Sequence, residues 1–170
     1  YQAVKNITLN RKLKLINSFN TPSKNILDVG AGTGDFLKVC QNNSWNVFGT
    51  EPDSGARNIA SKKDVILKED LSKITNLEFD VISLWHVLEH VENLREYIST
   101  LHNLLSNDGR LIIAVPNYKS YDANYYKQFW AAFDVPRHLW HFSQTSISKL
   151  FSKENMVVEK TLPMKFDSFY

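Results

Sequence analysis

Three glycines at alternate positions, Gly30, Gly32 and Gly34, follow the apolar run Ile26-Leu27-Asp28-Val29 and precede Asp35-Phe36. Glycine tolerates positive φ and has no Cβ, so such a turn bends sharply and lets a ligand lie against backbone N–H groups. Strand, tight turn and helix start, in that order, point to a nucleotide-like cofactor. Two carboxylates fall at similar breaks further on. Glu51, about twenty residues after the loop, is where a carboxylate accepts hydrogen bonds from both hydroxyls of a ribose. Asp70 is placed to accept from an adenine amino group while Leu71 offers its N–H to a ring nitrogen. His86, His90, His138 and His141 form a third group, and histidine is the side chain that titrates nearest neutral pH. A fifth histidine, His102, lies inside an amphipathic stretch and reads as structural.

These residues need a scaffold that brings them together. Apolar positions from Asn10 to Phe19 have helical spacing before the Thr21-Pro22 break. Asn25 to Val29 reads as the first strand and Phe36 to Gln41 as the helix returning along it. Trp45 to Thr50 is the second strand, Pro52-Asp53-Ser54 opens a short helix through Ala60, and Val65-Ile66-Leu67 is a third strand. Phe79 to Trp85 is the near-continuous apolar run of a strand buried on both faces. Leu94, Tyr97, Ile98, Leu101, Leu104 and Leu105 form one helical stripe that Asn107-Asp108-Gly109 should stop. Leu111 to Val115 is the fifth strand, Ser143 caps a last helix, and Met156 to Leu162 reads as a sixth strand. Alternating strands and helices predict an α/β fold, a mostly parallel sheet with helices on both faces, whose strand ends collect the loop, Glu51, Asp70 and Trp85-His86.

Residues 116–142 break that rhythm. They are dense in aromatics (Tyr118, Tyr121, Tyr125, Tyr126, Phe129, Trp130, Phe133) and read as a lid-like insertion over an apolar or aromatic acceptor, or as helices packed on the sheet edge.

The 170 residues fit one domain, 1–170, and an apolar fraction of 43% with 22% charged residues is that of a globular protein. A net charge of +2, with basic residues spread along the chain, supplies no field for nucleic acid or membrane. The apolar runs are too short to span a bilayer, no signal-peptide pattern opens the chain, and Cys40 has no partner for a disulfide. A cytoplasmic protein is expected.

The dinucleotide fingerprint requires a small residue at position 35, where this chain has Asp35. ILDVGAGTGDF instead resembles motif I of the class I S-adenosylmethionine (SAM) dependent methyltransferases, and the likeness continues through FGTEPD, KEDL, FDVISLWHVLEHV and NDGRLIIAVPN. The segment Asp134-Val135-Pro136-Arg137-His138-Leu139-Trp140-His141-Phe142-Ser143 resembles the bacterial small-molecule branch, similar to methyltransferase domain 23. The resemblance implies a Rossmann-like fold of seven strands ordered 3-2-1-4-5-7-6. With little sequence after the sixth strand, the C-terminal strand is expected to be missing and the chain to be a piece of a longer one. It implies SAM as cofactor, S-adenosylhomocysteine as product, and Asp28, Gly30, Ala31, Gly32, Phe36, Glu51, Pro52, Asp70, Leu71 and Trp85 as cofactor-binding residues. The expected activity is methyl transfer to a small molecule, first at oxygen, otherwise at nitrogen or carbon. An NAD(P)-dependent oxidoreductase and a non-catalytic SAM-binding protein are the alternatives.

His86, Glu89 and His90 stand at i, i+3 and i+4, a spacing that one helical turn gathers on one face. With His138 they resemble the divalent-ion site of the small-RNA 2′-O-methyltransferases, but His86 replaces a carboxylate there and weakens the match for magnesium. The expectation is therefore no metal, with His90 and His138 as catalytic base or substrate hydrogen-bonding groups.

Overall fold

The structure, a computed structural model, describes residues 2–164. Helix α1 (Gln2–Asn17) leads into β1 (Asn25–Val29), α2 (Asp35–Gln41), β2 (Asn46–Thr50) and α3 (Ser54–Ser61). β3 (Phe79–Trp85), α4 (Leu94–Leu104), β4 (Leu105–Ala114), α5 (Tyr121–Tyr126) and α6 (Gln144–Phe151) follow, with short 3-10 turns at Leu71–Lys73, Leu88–His90, Lys127–Phe129, Ala131–Phe133 and Ser152–Glu154. No helix among the described residues is long and apolar enough to cross a membrane.

The chain divides into two compact units. The first holds the residues up to Leu84 together with Leu104–Ile112, and the second holds Trp85–Asn103 and Ile113–Pro163. In the first, the strands form one sheet in the order β2-β1-β3-β4, with β1 parallel to both β2 and β3. This is the 2-1-4-5 part of the expected order, and the described residues hold four of its seven strands. Ile26 to Val29 and Phe79 to Leu84 are buried without alternation, as strands covered on both faces must be. Helix α2 packs on α1 and β2. A Cβ at Gly49 would stand 2.6 Å from Leu37 and 2.7 Å from Leu67, so the residue type there is set by close packing.

Four sequence expectations change. Val65 to Leu67 is not a strand: Lys68 makes a single parallel bridge to Thr50, while Ile66 is 69% exposed, leaving two buried positions too few to sustain a ladder. Asn107-Asp108-Gly109 does not end α4, which stops at Leu104; it lies inside β4, whose backbone passes so close to Phe79 that a Cβ at Gly109 would come within 2.8 Å of that carbonyl. Met156 to Leu162 forms no regular structure, and Val157, Val158 and Leu162 are exposed. Helix α1 begins at Gln2, earlier than the apolar spacing from Asn10 suggested, and its first turns leave Val4 and Ile7 exposed.

In the second unit, α4 buries Leu94, Ile98 and Leu101 along one stripe, and α6 starts in a capping box between Ser143 and Ser146. The 116–142 stretch is closed at its base by a bridge between Asn117 and Phe142, with the Tyr118 N–H donating to the Phe142 carbonyl at 3.0 Å.

Candidate functional site

The glycine loop begins where β1 ends. Gly30, Gly32 and Gly34 have φ of 69°, 54° and 73°, values a side chain resists, which is why glycine recurs at alternate positions. The three differ in surroundings. A Cβ at Gly34 would stand 3.0 Å from Ala60 and 3.1 Å from Val65, so this glycine serves packing; a Cβ at Gly32 would meet nothing within 4 Å. Open space above Gly32 is the room a ligand needs to lie on the loop.

Glu51, at the end of β2, closes this cradle. Its Oε2 accepts from the Gly32 N–H at 2.8 Å and its Oε1 from the Asp53 N–H at 3.0 Å. The Ala31 N–H donates to the Thr50 carbonyl at 2.9 Å and the Gly34 N–H to the Ala31 carbonyl at 3.0 Å. Three loop N–H groups are thus engaged by the protein, rather than offered to a ligand as the sequence suggested. Arg57 holds the other side of the β2 turn, donating to the Glu51 and Pro52 carbonyls at 2.7 and 2.6 Å.

The remaining expected cofactor residues divide by depth. Asp28 is buried within the sheet and accepts a 2.6 Å hydrogen bond from the Ser83 hydroxyl, its neighbour in register on β3. Phe36 is buried in α2, with the Lys12 ammonium over its ring at 5.9 Å. Asp70 is exposed and caps the turn that contains buried Leu71; hydrogen bonds from Ser72 hold its carboxyl below the usual range. Pro52 is exposed, and Trp85 is half-buried at the end of β3.

Asp35, the residue that broke the dinucleotide pattern, has a structural task. It accepts from Lys5 at 2.7 Å, Lys63 at 2.8 Å and the Thr33 hydroxyl at 2.7 Å, linking α1, the loop and the residues after α3. Burial alone would raise its pKa; the bonds from Lys5, Lys63 and Thr33 outweigh it and lower the value to about 2.

The histidines belong to the second unit. β3 ends in a sharp turn at His86, whose φ is 58° and whose N–H donates to the Ala114 carbonyl at 3.0 Å. The 3-10 turn that follows buries Glu89 completely and leaves His90 exposed. Residues 134–140 are fastened to this turn. The Leu139 and Trp140 N–H groups both donate to the Glu89 carbonyl at 2.8 and 3.3 Å, and Trp140 Nε1 donates to the Val91 carbonyl at 2.7 Å. His90 Nδ1 pairs with the Arg137 carbonyl at 2.9 Å, and His138 Nδ1 with the Ala132 carbonyl at 2.8 Å. The structure brings His90 and His138 together, with ring centroids 4.8 Å apart. It does not add His141, whose Nε2 is bonded to the Phe133 carbonyl. Sequence reasoning did not single out Asp134, which pairs with Arg137 at 2.7 Å and has Oδ2 3.8 Å from His138 Nε2. Its Asp-x-x-Arg-His spacing was the available signal.

Comparison with known proteins agrees with this architecture. An uncharacterized protein of Methanocaldococcus jannaschii, MJ1252, is 31% identical over 93 residues, covering 54% of this chain and 37% of its own length. The chain spans about four-tenths of the length of the curated relatives it matches. Among solved structures, magnesium protoporphyrin IX methyltransferase (ChlM) from Synechocystis PCC 6803, with bound S-adenosylhomocysteine, is similar with a TM-score of 0.74 at 21% identity, over 96% of this chain and 78% of that one. The plantazolicin methyltransferase BpumL, in complex with a desmethyl plantazolicin analogue and the same product, is similar with a TM-score of 0.67 at 19% identity, over 81% and 58%. At these identities the likeness establishes the fold. Residues 6–161, a span that takes in the loop, Glu51 and the histidine turn, match the Methyltransf_23 model, a methyltransferase domain, in a family that takes its methyl group from SAM. The chain belongs to this methyltransferase domain family.

Proposed function

We propose that the chain acts as one methyltransferase domain that transfers a methyl group from SAM to a small-molecule acceptor, at oxygen. The observation that carries the reading is the junction of Glu51 with the glycine loop. A pyrophosphate binds through free loop N–H groups, whereas here Ala31, Gly32 and Gly34 direct theirs to protein oxygens. A nucleoside cofactor without phosphate requires no such donors. It requires acceptors for its ribose and room over the loop, which Glu51 and Gly32 supply. This favours SAM over NAD(P).

SAM, when bound, supplies a methyl group already activated on a sulfonium. The chain has to bind, align and manage a proton. Each Glu51 oxygen keeps a second lone pair for a ribose hydroxyl, and Asp70 and Leu71 serve the adenine. His90 and His138 point Nδ1–H at carbonyls, which leaves Nε2 lone pairs to take the proton of an acceptor hydroxyl. Tyr121, Tyr125, Tyr126 and Phe129, all exposed, supply apolar surface for such an acceptor. That the two similar solved structures are named for magnesium protoporphyrin IX and plantazolicin supports a small-molecule acceptor. The lone buried Cys40 supports a reducing, cytoplasmic setting.

Calorimetry with S-adenosylhomocysteine and NADH tests the donor. Binding of NADH in preference to S-adenosylhomocysteine overturns the reading. Transfer of labelled methyl from SAM into the small-molecule fraction of a cell extract tests the acceptor; cofactor binding without transfer returns the non-catalytic alternative.

A further inference from the structure

Glu89 poses a problem of charge that the roles above leave unsolved. Its side chain is 1% exposed, its Oε1 stands 3.3 Å from His86 Nδ1, and its Oε2 has no hydrogen-bond partner. Carboxylates removed from water are paired or bound to metal.

His90 and His138 complete a donor set. A carbonyl oxygen only accepts, so the contacts to Arg137 and Ala132 fix a proton on each Nδ1 and, in the neutral ring, a lone pair on each Nε2. Metal-ligating histidines are held in this way, one ring nitrogen donating to a backbone carbonyl while the other binds the ion. One ligand atom from each of Glu89, His90 and His138 lies within 4.8 Å of the others. Asp134 Oδ2 stands 3.8 Å from His138 Nε2, beyond hydrogen-bond reach, and its other oxygen takes Arg137.

We infer that Glu89, His90 and His138 bind one divalent metal ion of the zinc class. Two imidazoles and a carboxylate suit zinc, whereas magnesium and calcium take oxygen ligands. Ligand atoms at about 2.0–2.2 Å from a tetrahedral zinc stand about 3.3 Å apart, so the set contracts on binding, and exposed His90 has the room to do so. Three protein ligands leave a fourth position for water or an acceptor oxygen, whose pKa the ion would lower. The ion site rests on this unit's geometry alone; its use in catalysis rests on the methyl-transfer reading and, with the ion bound, its fourth position takes over the proton-accepting part given above to the free Nε2 atoms.

The test is calorimetric titration of the untagged full chain with zinc ion after chelation, with metal content measured on the dialysed protein and no SAM present. One retained equivalent is expected. His90→Gln and His138→Gln should each weaken it at least ~10-fold, and His102→Gln should leave it unchanged. Because Glu89 and His138 are buried or nearly so, circular dichroism accompanies any variant there, while exposed His90 supplies a variant that does not disturb packing. Failure to retain zinc, or wild-type affinity in His90→Gln, overturns the site. S-adenosylhomocysteine binding on the same samples separates the two readings: zinc lost with cofactor binding intact refutes the metal site alone.

Discussion

Glu51 and Gly32 are joined by a 2.8 Å hydrogen bond from the loop N–H to Oε2, while Oε1 of the same carboxylate takes the Asp53 N–H. One side chain therefore shapes the cradle before any ligand arrives and, on the proposed reading, keeps lone pairs for the ribose. Glu51→Ala should lower S-adenosylhomocysteine affinity by at least ~10-fold, each charge-assisted bond lost costing about 1.5–3 kcal/mol. Calorimetry reads this directly, and unchanged affinity would remove Glu51 from the cofactor site.

His90→Gln and His138→Gln should each lower kcat by about 10²-fold or more while S-adenosylhomocysteine affinity stays within about twofold. The split is expected because the Glu51 cradle and the two imidazoles belong to different units. Steady-state kinetics and calorimetry on the same variants measure it.

Asp35 makes the first unit sensitive to acid. Its carboxyl is lowered from 3.8 to about 2 in the folded protein, so the folded state binds fewer protons than the unfolded one in that interval. The stability it contributes is present above about pH 4 and is lost as pH falls toward 2. Asp35→Asn should be less stable than wild type by about 1 kcal/mol near neutrality and indistinguishable from it at about pH 2. Urea unfolding as a function of pH gives both values.

Cys40 should resist alkylation until the protein unfolds. Burial, with the charge of Asp28 adding to it, pushes its thiol far above the ordinary range, and the reactive thiolate is suppressed. Labelling with iodoacetamide in native buffer and in denaturant should differ by about the equilibrium unfolding factor.

Within the aromatic insertion, exchange should be graded. Amides next to the Asn117–Phe142 bridge and the Glu89 carbonyl are held before any acceptor binds. Closure over an acceptor therefore has to come from residues 121–133, where Tyr121 and Phe129 are 80% and 81% exposed. Hydrogen exchange with SAM and an acceptor should slow there and change little at residues 138–142. Identical exchange throughout would make the insertion a fixed part of the fold.

The glycine loop, β1, β3 and the start of α6 were legible because each is written locally: alternate glycines, unbroken apolar runs, a serine cap. Val65 to Leu67 misled because a strand needs a partner along its whole length, and composition does not reveal how much ladder that partner offers. Glu51 was readable as a carboxylate just after the second strand, but not as the brace that takes the Gly32 N–H, since that contact joins residues nineteen apart in sequence. Asp35 was read only as a departure from a pattern, because Lys5 and Lys63 lie 30 and 28 residues away. The pairing of His90 with His138 depends in the same way on bonds from the Leu139 and Trp140 N–H groups to the Glu89 carbonyl, which no spacing rule encodes.

Those backbone bonds carry an evolutionary consequence. Since the Glu89 carbonyl receives two N–H groups from the later segment, and since those bonds use main-chain atoms, side-chain drift on either strip leaves these two bonds intact. An insertion or deletion in either strip does not. Stretches that differ in length can thus be exchanged between homologous enzymes only as a matched cassette, and a chimera that imports one such stretch without the other should misalign both imidazoles while preserving every side chain that a motif search would score.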